Sequence, residues 1–220
     1  MMDYADARTT MVDTQIRTES VTDYNVIRAM GEVPRERFVP AAAKPFAYTD
    51  ADIVVKEDGH RRCMMRPATL ARLIQAAEIR PGDYVLVVGV GSGYSAAVVA
   101  GLATSVIALE SDEELAAMAS STLMDLGIGN VAGVTGPLEA GYASEGPYDV
   151  ILLDGSVDVV PDGLFAQLKE EGRLVAVIGR GRAAPAMVFT KTGDDIGSRP
   201  VFDAFAPPLP GFAKPKVFVF

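Results

Sequence analysis

Three glycines and two acids carry the chemistry that can be read from this chain. Gly89, Gly91 and Gly93 follow the apolar run Val85–Val88, and Glu110 ends a second run, Val106–Leu109. A buried strand, a tight glycine turn and a helix aim backbone amides at whatever sits on the turn. A carboxylate at the tip of the next strand is where ribose hydroxyls are held. The spacing also separates one ligand from another. A dinucleotide fingerprint needs its third glycine at position 94, where this chain has Tyr94, too bulky for close helix–strand packing. Gly-x-Gly-x-Gly followed by Glu110 suits S-adenosylmethionine better than a nicotinamide. The expected cofactor contacts are therefore Gly89, Val90, Gly91, Ser92 and Gly93 at the turn and Glu110 at the ribose. Asp154, at the tip of the apolar stretch 148–153, faces the same crevice, as a ligand contact or as a turn or capping residue.

Other chemistries are poorly served. The single histidine, His60, has no second histidine to form a metal pair with, and no metal site is expected. Cys63 has no activating base nearby, although Arg61 and Arg62 would lower its pKa. No catalytic residue is assigned.

The elements that must position the site follow from periodicity. Residues 9–30 read as helical pieces burying Met11, Ile16, Val21, Val26, Ile27 and Met30, with Thr22 or Asp23 as a cap. The prolines of Val33–Pro40 predict extended chain. Residues 52–55 form a short edge strand, and 59–67 an irregular connection. Pro67 opens a helix over 68–78 with Leu70, Leu73, Ile74 and Ala77 on one face. Ser111-x-x-Glu114 is a capping-box pattern before a helix at 112–126. Strands at 131–134, 148–153, 173–178, 187–192 and 217–220 and a helix at 162–170 complete the pattern. Alternating strands and helices predict a doubly wound α/β fold with a mostly parallel seven-stranded sheet, its last two strands closing as an antiparallel pair. Residues 1–66 form an N-terminal helical arm with a substrate loop, and 67–220 the cofactor-binding core, as one structural unit.

Composition narrows the function classes. An apolar content of 49% can bury a sizeable core. With 20 basic and 29 acidic residues, the net charge of −9 argues against non-specific nucleic-acid binding. The first 30 residues hold no signal-peptide pattern, and no run of about 18 apolar residues spans a membrane. One cysteine fits a reducing compartment and a cytoplasmic location.

Three stretches together resemble the protein-L-isoaspartate O-methyltransferase family. They are MVDTQIR with AMGEVPRERFVP at 11–17 and 29–40, VVGVGSGYSAAVVAGL at 87–102 with Glu110, and YDVILLDGSVDVVPDGLFAQLKEEGRLVAVIG at 148–179. The resemblance implies a class-I methyltransferase that moves the methyl of S-adenosylmethionine to the free carboxylate of an isoaspartyl residue in a damaged protein. The ester then collapses to a succinimide, whose opening returns some normal linkage. A carboxylate ionised at pH 7 needs no general base, so the enzyme's task is alignment and exclusion of water.

The departures are specific. The family's G-Q-T-I-S-Q-P motif is GHRRCMMRP here, at 59–67, with Met65 where the serine stands and Arg66 where the glutamine stands. A thioether cannot donate a hydrogen bond to a carboxylate. The family's acid on the central strand is Val87, and its Gly-Asp after the third strand is Gly136-Pro137, which leaves Gly136 as the cofactor contact. Arg66, with Met65 and Arg62, is the expected substrate contact, since a bidentate Arg–carboxylate pair contributes about 1.5–3 kcal/mol. The competing reading of 59–67 is an arginine-rich surface loop with methionines packed on the core. Two functional alternatives stand beside isoaspartyl repair: a methyltransferase of the same fold for another carboxylate or small molecule, and a non-catalytic protein that kept the fold.

Overall fold

The computed structural model describes residues 3–181 and 183–214. A seven-stranded sheet runs in the order β5-β4-β3-β6-β7-β8-β9. Its strands are β3 (Tyr84–Val88), β4 (Ser105–Glu110), β5 (Val131–Thr135), β6 (Tyr148–Val157), β7 (Leu168–Ile178), β8 (Ala184–Thr192) and β9 (Asp195–Ala204). The first five pair in parallel, and β8 and β9 add antiparallel at one edge. The chain turns to opposite sides of β3 on leaving it, so the crevice of an open α/β sheet lies beyond its carboxyl end. Register sharpens this. Val88 pairs with Leu109 on one side and with Leu153 on the other. The next residues on the three strands are Gly89, Glu110 and Asp154, which lie level at that end.

Alternation along β3 builds two cores. Val85 and Val87 join the helical layer above the sheet, while Leu86 and Val88 join the layer below with Leu138, Leu164 and Phe212. The upper layer holds α3 (Pro67–Ala77), α4 (Tyr94–Ala100) and the N-terminal helices α1 (Tyr4–Met11) and α2 (Tyr24–Glu32). Pro67 occupies the first turn of α3, and Leu70, Leu73, Ile74 and Ala77 are all fully or almost fully buried. The six expected core residues between Met11 and Met30 are buried as well. Asp23 caps α2 by accepting from the amides of Asn25 and Val26. Helices α5 (Glu113–Asp125) and α6 (Asp162–Ala166) complete the set.

Five expectations are corrected. Asp112, not Ser111, caps α5, because its carboxylate accepts from the amides of Glu114 and Leu115. Arg35–Phe38 is a turn of 3-10 helix, because a proline restricts the residue before it and leaves the four between free to coil. The connection at 59–67 contains a strand, β2 (Arg62–Met64), which pairs antiparallel with β1 (Ile53–Lys56) in a separate ribbon. The helix expected at 162–170 stops at Ala166, because Leu168 already belongs to β7. The antiparallel partner of β8 is β9, a polar edge strand without clear alternation; the strand expected at 217–220 lies outside the described residues.

Gly93 begins α4 with φ +98°, and a Cβ there would stand 2.9 Å from the Cβ of Ala119 on α5. Gly93→Ala is expected to lose about 1–3 kcal/mol of stability through backbone strain and overpacking. Urea unfolding checks it, and an unchanged midpoint would refute this account of the turn.

Candidate active site

The crevice is organised on Glu110, whose side chain is completely buried. Its carboxylate accepts from the amides of Gly91 (2.7 Å), Ser111 (2.8 Å) and Asp112 (3.1 Å). The glycine turn and the start of α5 thus converge on one acid, as residues at adjacent strand ends must. A second group has reached it. Arg62, on β2, donates from Nη1 to Oε1 at 2.5 Å and from Nη2 to Oε2 at 2.8 Å, and Nη2 also reaches the carbonyl of Gly89 at 3.1 Å. The guanidinium forks over the carboxylate in the bidentate geometry that such pairs favour. The sequence placed Arg62 at the substrate; the structure pairs it with Glu110 and buries both.

The ribbon that carries Arg62 is held shut at its other strand. Lys56 on β1 pairs with Asp112 and Glu114 at the start of α5, at 2.7 Å each. Val55 packs over Gly91. From below, the segment after β9 runs against the extended end of β6, with Ser156 N–H donating to Pro207 O and Leu209 N–H to Ser156 O. Leu209 lies so close to Gly89 and Gly155 that a Cβ on either would come within 2.6–2.7 Å of its side chain. The loop opening at Pro207 therefore lies against the start of the glycine turn through Leu209. Sequence alone offered no signal for Lys56, Val55 or Leu209, since nothing local ties them to the turn.

The floor beside the turn is polar and incompletely satisfied. Ser92 Oγ, Ser95 Oγ and Asp154 Oδ1 are buried without a hydrogen-bond partner. Such atoms cost about 1–3 kcal/mol each unless a polar group or water meets them. Asp154 lies near Arg62, Arg35, Ser95 and Glu110, and burial pushes its carboxyl up to about 6, against the pull of the two arginines. Orphaned polar atoms next to the turn fit a polar ligand such as S-adenosylmethionine. The amide of Gly136 donates to the backbone carbonyl of Glu110, which places it at the same rim.

Arg35 ties the arm to this floor. It is fully buried, donates to the carbonyls of Ala47 (2.8 Å) and Met65 (2.7 Å), and lies 4.6 Å from the ring centre of Tyr94, the first residue of α4. Met65, expected at the substrate, has its side chain buried in the core and its carbonyl on Arg35. Burial raises the Cys63 thiol above its usual range and Arg61 only partly offsets it, so the thiol is not activated. Arg66 is placed differently. It lines a cavity of about 620 Å³ at the start of α3, together with Asp50, Thr69, Arg72, Asp203 and Phe205. Its amide donates to Asp52, its Nε is buried without a partner, and among the described residues no carboxylate lies within 4 Å to form an ion pair. Among the described residues no cluster of three or more His, Cys, Asp or Glu side chains forms a metal site, and no helix is long and apolar enough to cross a membrane.

Comparison with known proteins decides the family. The model of the protein-L-isoaspartate(D-aspartate) O-methyltransferase family matches residues 6–202. The chain belongs to this family. A protein-L-isoaspartate O-methyltransferase of Koribacter versatilis is 41% identical over 172 residues, covering 78% of this chain and 76% of the relative. A second from Shewanella sediminis is 35% identical over 211 residues, covering 96% and 85%. A solved protein-L-isoaspartate O-methyltransferase superposes with a TM-score of 0.82 at 28% identity, over 93% of this chain and 66% of that one. The fold is thus that of the class-I methyltransferases, and the family is one of enzymes that use S-adenosylmethionine. A solved Plasmodium falciparum protein described as a protein-L-isoaspartate O-methyltransferase, in complex with S-adenosyl-L-homocysteine, shares the fold at 19% identity and a TM-score of 0.76.

The Asp154 carboxyl supplies a pH test. Its folded pKa of about 6 lies above the ordinary range of an aspartate carboxyl, about 4. The native state therefore holds this proton more tightly, and the stability it contributes is full below pH 4 and lost as pH rises to 6. Relative to Asp154→Asn, the wild type is expected to lose stability between pH 4 and 6 and to run parallel above that. Urea unfolding across this range checks it; a difference that stays constant with pH would place the carboxyl in water.

Proposed function

We propose that this protein is an S-adenosylmethionine-dependent methyltransferase that esterifies the free carboxylate of L-isoaspartyl residues in damaged proteins, in the cytoplasm. The observation that supports it most is the guanidinium of Arg66, which has no ion-pair partner among the described residues, at a cavity beside α3, in a chain of this family whose serine contact has been replaced. Glu110 and the turn at Gly89–Gly93 would hold the ribose and adjoining parts of the cofactor, with Ser92, Ser95 and Asp154 facing its charged end. The cofactor supplies an electrophilic methyl group.

The chain's residues then have three tasks. Arg66 receives an anionic carboxylate, and its planar fork fixes the orientation of both oxygens. The ribbon and the loop at Leu209 exclude water from the crevice, which strengthens attraction between opposite charges. No side chain has to take a proton, because a carboxylate is the conjugate base at neutral pH. That is consistent with a site whose only nearby thiol is unactivated and whose histidine lies on the exposed ribbon tip.

Methyl transfer from labelled S-adenosylmethionine to an isoaspartyl peptide, beside its normal aspartyl twin, tests the reading through base-labile label. Label on the isoaspartyl peptide alone is expected. Arg66→Ala is expected to raise KM for that peptide about ten-fold, the equivalent of one charge-assisted contact. No label on either peptide would exclude the isoaspartyl assignment and direct attention to other carboxylates.

A further inference from the structure

Glu110 has no room for a ribose in the conformation described above. Both of its oxygens are taken: the Ser111 amide and hydroxyl and the Asp112 amide reach Oε1, the Gly91 amide reaches Oε2, and among the described residues the only charged partner is Arg62, which reaches both. We infer that Arg62 is an internal occupant of the ribose site, and that the β1–β2 ribbon is a latch which must release Glu110 before the cofactor enters. The inference rests on the reading of Glu110 as the ribose ligand.

The build of the ribbon supports a moving part. It consists of four and three residues paired outside the main sheet, with an irregular register between Val54 and Lys56. Two strands alone are marginal in water. Its tip, Glu57–Arg61, is exposed. Ile53, Val55 and Met64 seat the ribbon on the upper core, and at the tip end charge is added: Arg62 on Glu110 within, and Lys56 on Asp112 and Glu114 at the rim. The crevice under the latch is not a finished core, because Ser92, Ser95 and Asp154 leave polar atoms without partners. Apolar packing would have no use for those groups, whereas a zwitterionic ligand would meet them. Arg62 mimics one half of such a ligand by donating two hydrogen bonds where two hydroxyls would donate.

A latch of this kind lowers apparent affinity by the fraction of molecules in which it is open. Removing it raises that fraction. Titration calorimetry with S-adenosyl-L-homocysteine on the full chain is expected to show binding at least ten-fold tighter for Arg62→Ala than for the wild type. Arg62→Lys keeps a positive charge beside Glu110 but cannot fork over it, so it folds even where the alanine variant does not. It is expected to bind several-fold tighter than wild type. Equal or weaker binding by the folded variants would overturn the latch while leaving the cofactor assignment intact. Absence of binding in wild type and variants alike would overturn both. Failure of methyl transfer to the isoaspartyl peptide, with S-adenosyl-L-homocysteine still bound more tightly by Arg62→Lys, would leave the latch standing and remove only the substrate.

Discussion

A carboxylate cannot be buried without its charge being answered, and the crevice of this protein is arranged around the answer given to Glu110. Three backbone amides reach it because the strand register sets the glycine turn and the start of α5 against the tip of β4. They supply fixed dipoles but no countercharge. Arg62 supplies the charge from a ribbon that is not part of the sheet. A buried pair of this kind is costly to break by removing one member, and it adds little over an apolar pair of the same volume. Its retention at the tip of β4 is better explained by use than by stability.

The same constraint accounts for much of the upper layer. For Arg62 to reach Glu110, the ribbon must lie across the turn, which requires a fixed path from the arm to α3. Arg35 provides it by gathering the carbonyls of Ala47 and Met65 onto one guanidinium packed on Tyr94. The chain before the ribbon, the chain after it and the helix that follows the glycine turn are thereby fastened at one buried point. Gln75 performs a smaller version of this task, accepting from the amides of Thr22 and Asp23 and so seating α2 on α3. From below, the loop at Leu209 closes the crevice using the two positions, Gly89 and Gly155, that lack a side chain.

Rewriting of the family motif between Gly59 and Pro67 divides into two effects once its residues are placed. Its interior has turned inward: Arg62 binds Glu110, and Met64 and Met65 are buried. Its last residue before the proline has turned outward, where Arg66 offers a charge to the cavity at α3. The surface-loop reading of this stretch holds for Gly59, His60 and Arg61 alone. A single segment thus carries one arginine onto Glu110 and, past the end of β2, another to the cavity at α3.

The sequence by itself determined the parts whose signals are local. Apolar runs marked β3, β4 and β6, a glycine triplet marked the turn, Pro67 with its apolar spacing marked α3, and three stretches at 11–40, 87–102 and 148–179 marked the family. It did so because burial period, cap and turn chemistry are written within a few residues of one another. It missed β9, whose exposed edge carries no alternation, and it took Ser111 for a cap that Asp112 supplies one residue later. Only the tertiary structure decided that Arg62 meets Glu110 across 48 positions, that Lys56 reaches α5, and that Leu209 lies on Gly89. Those contacts join segments distant in sequence, and an arginine in a polar stretch reads the same whether it faces water or a buried acid. Its partner is chosen by the path of the ribbon over the sheet, a property of the packed chain and not of any window along it.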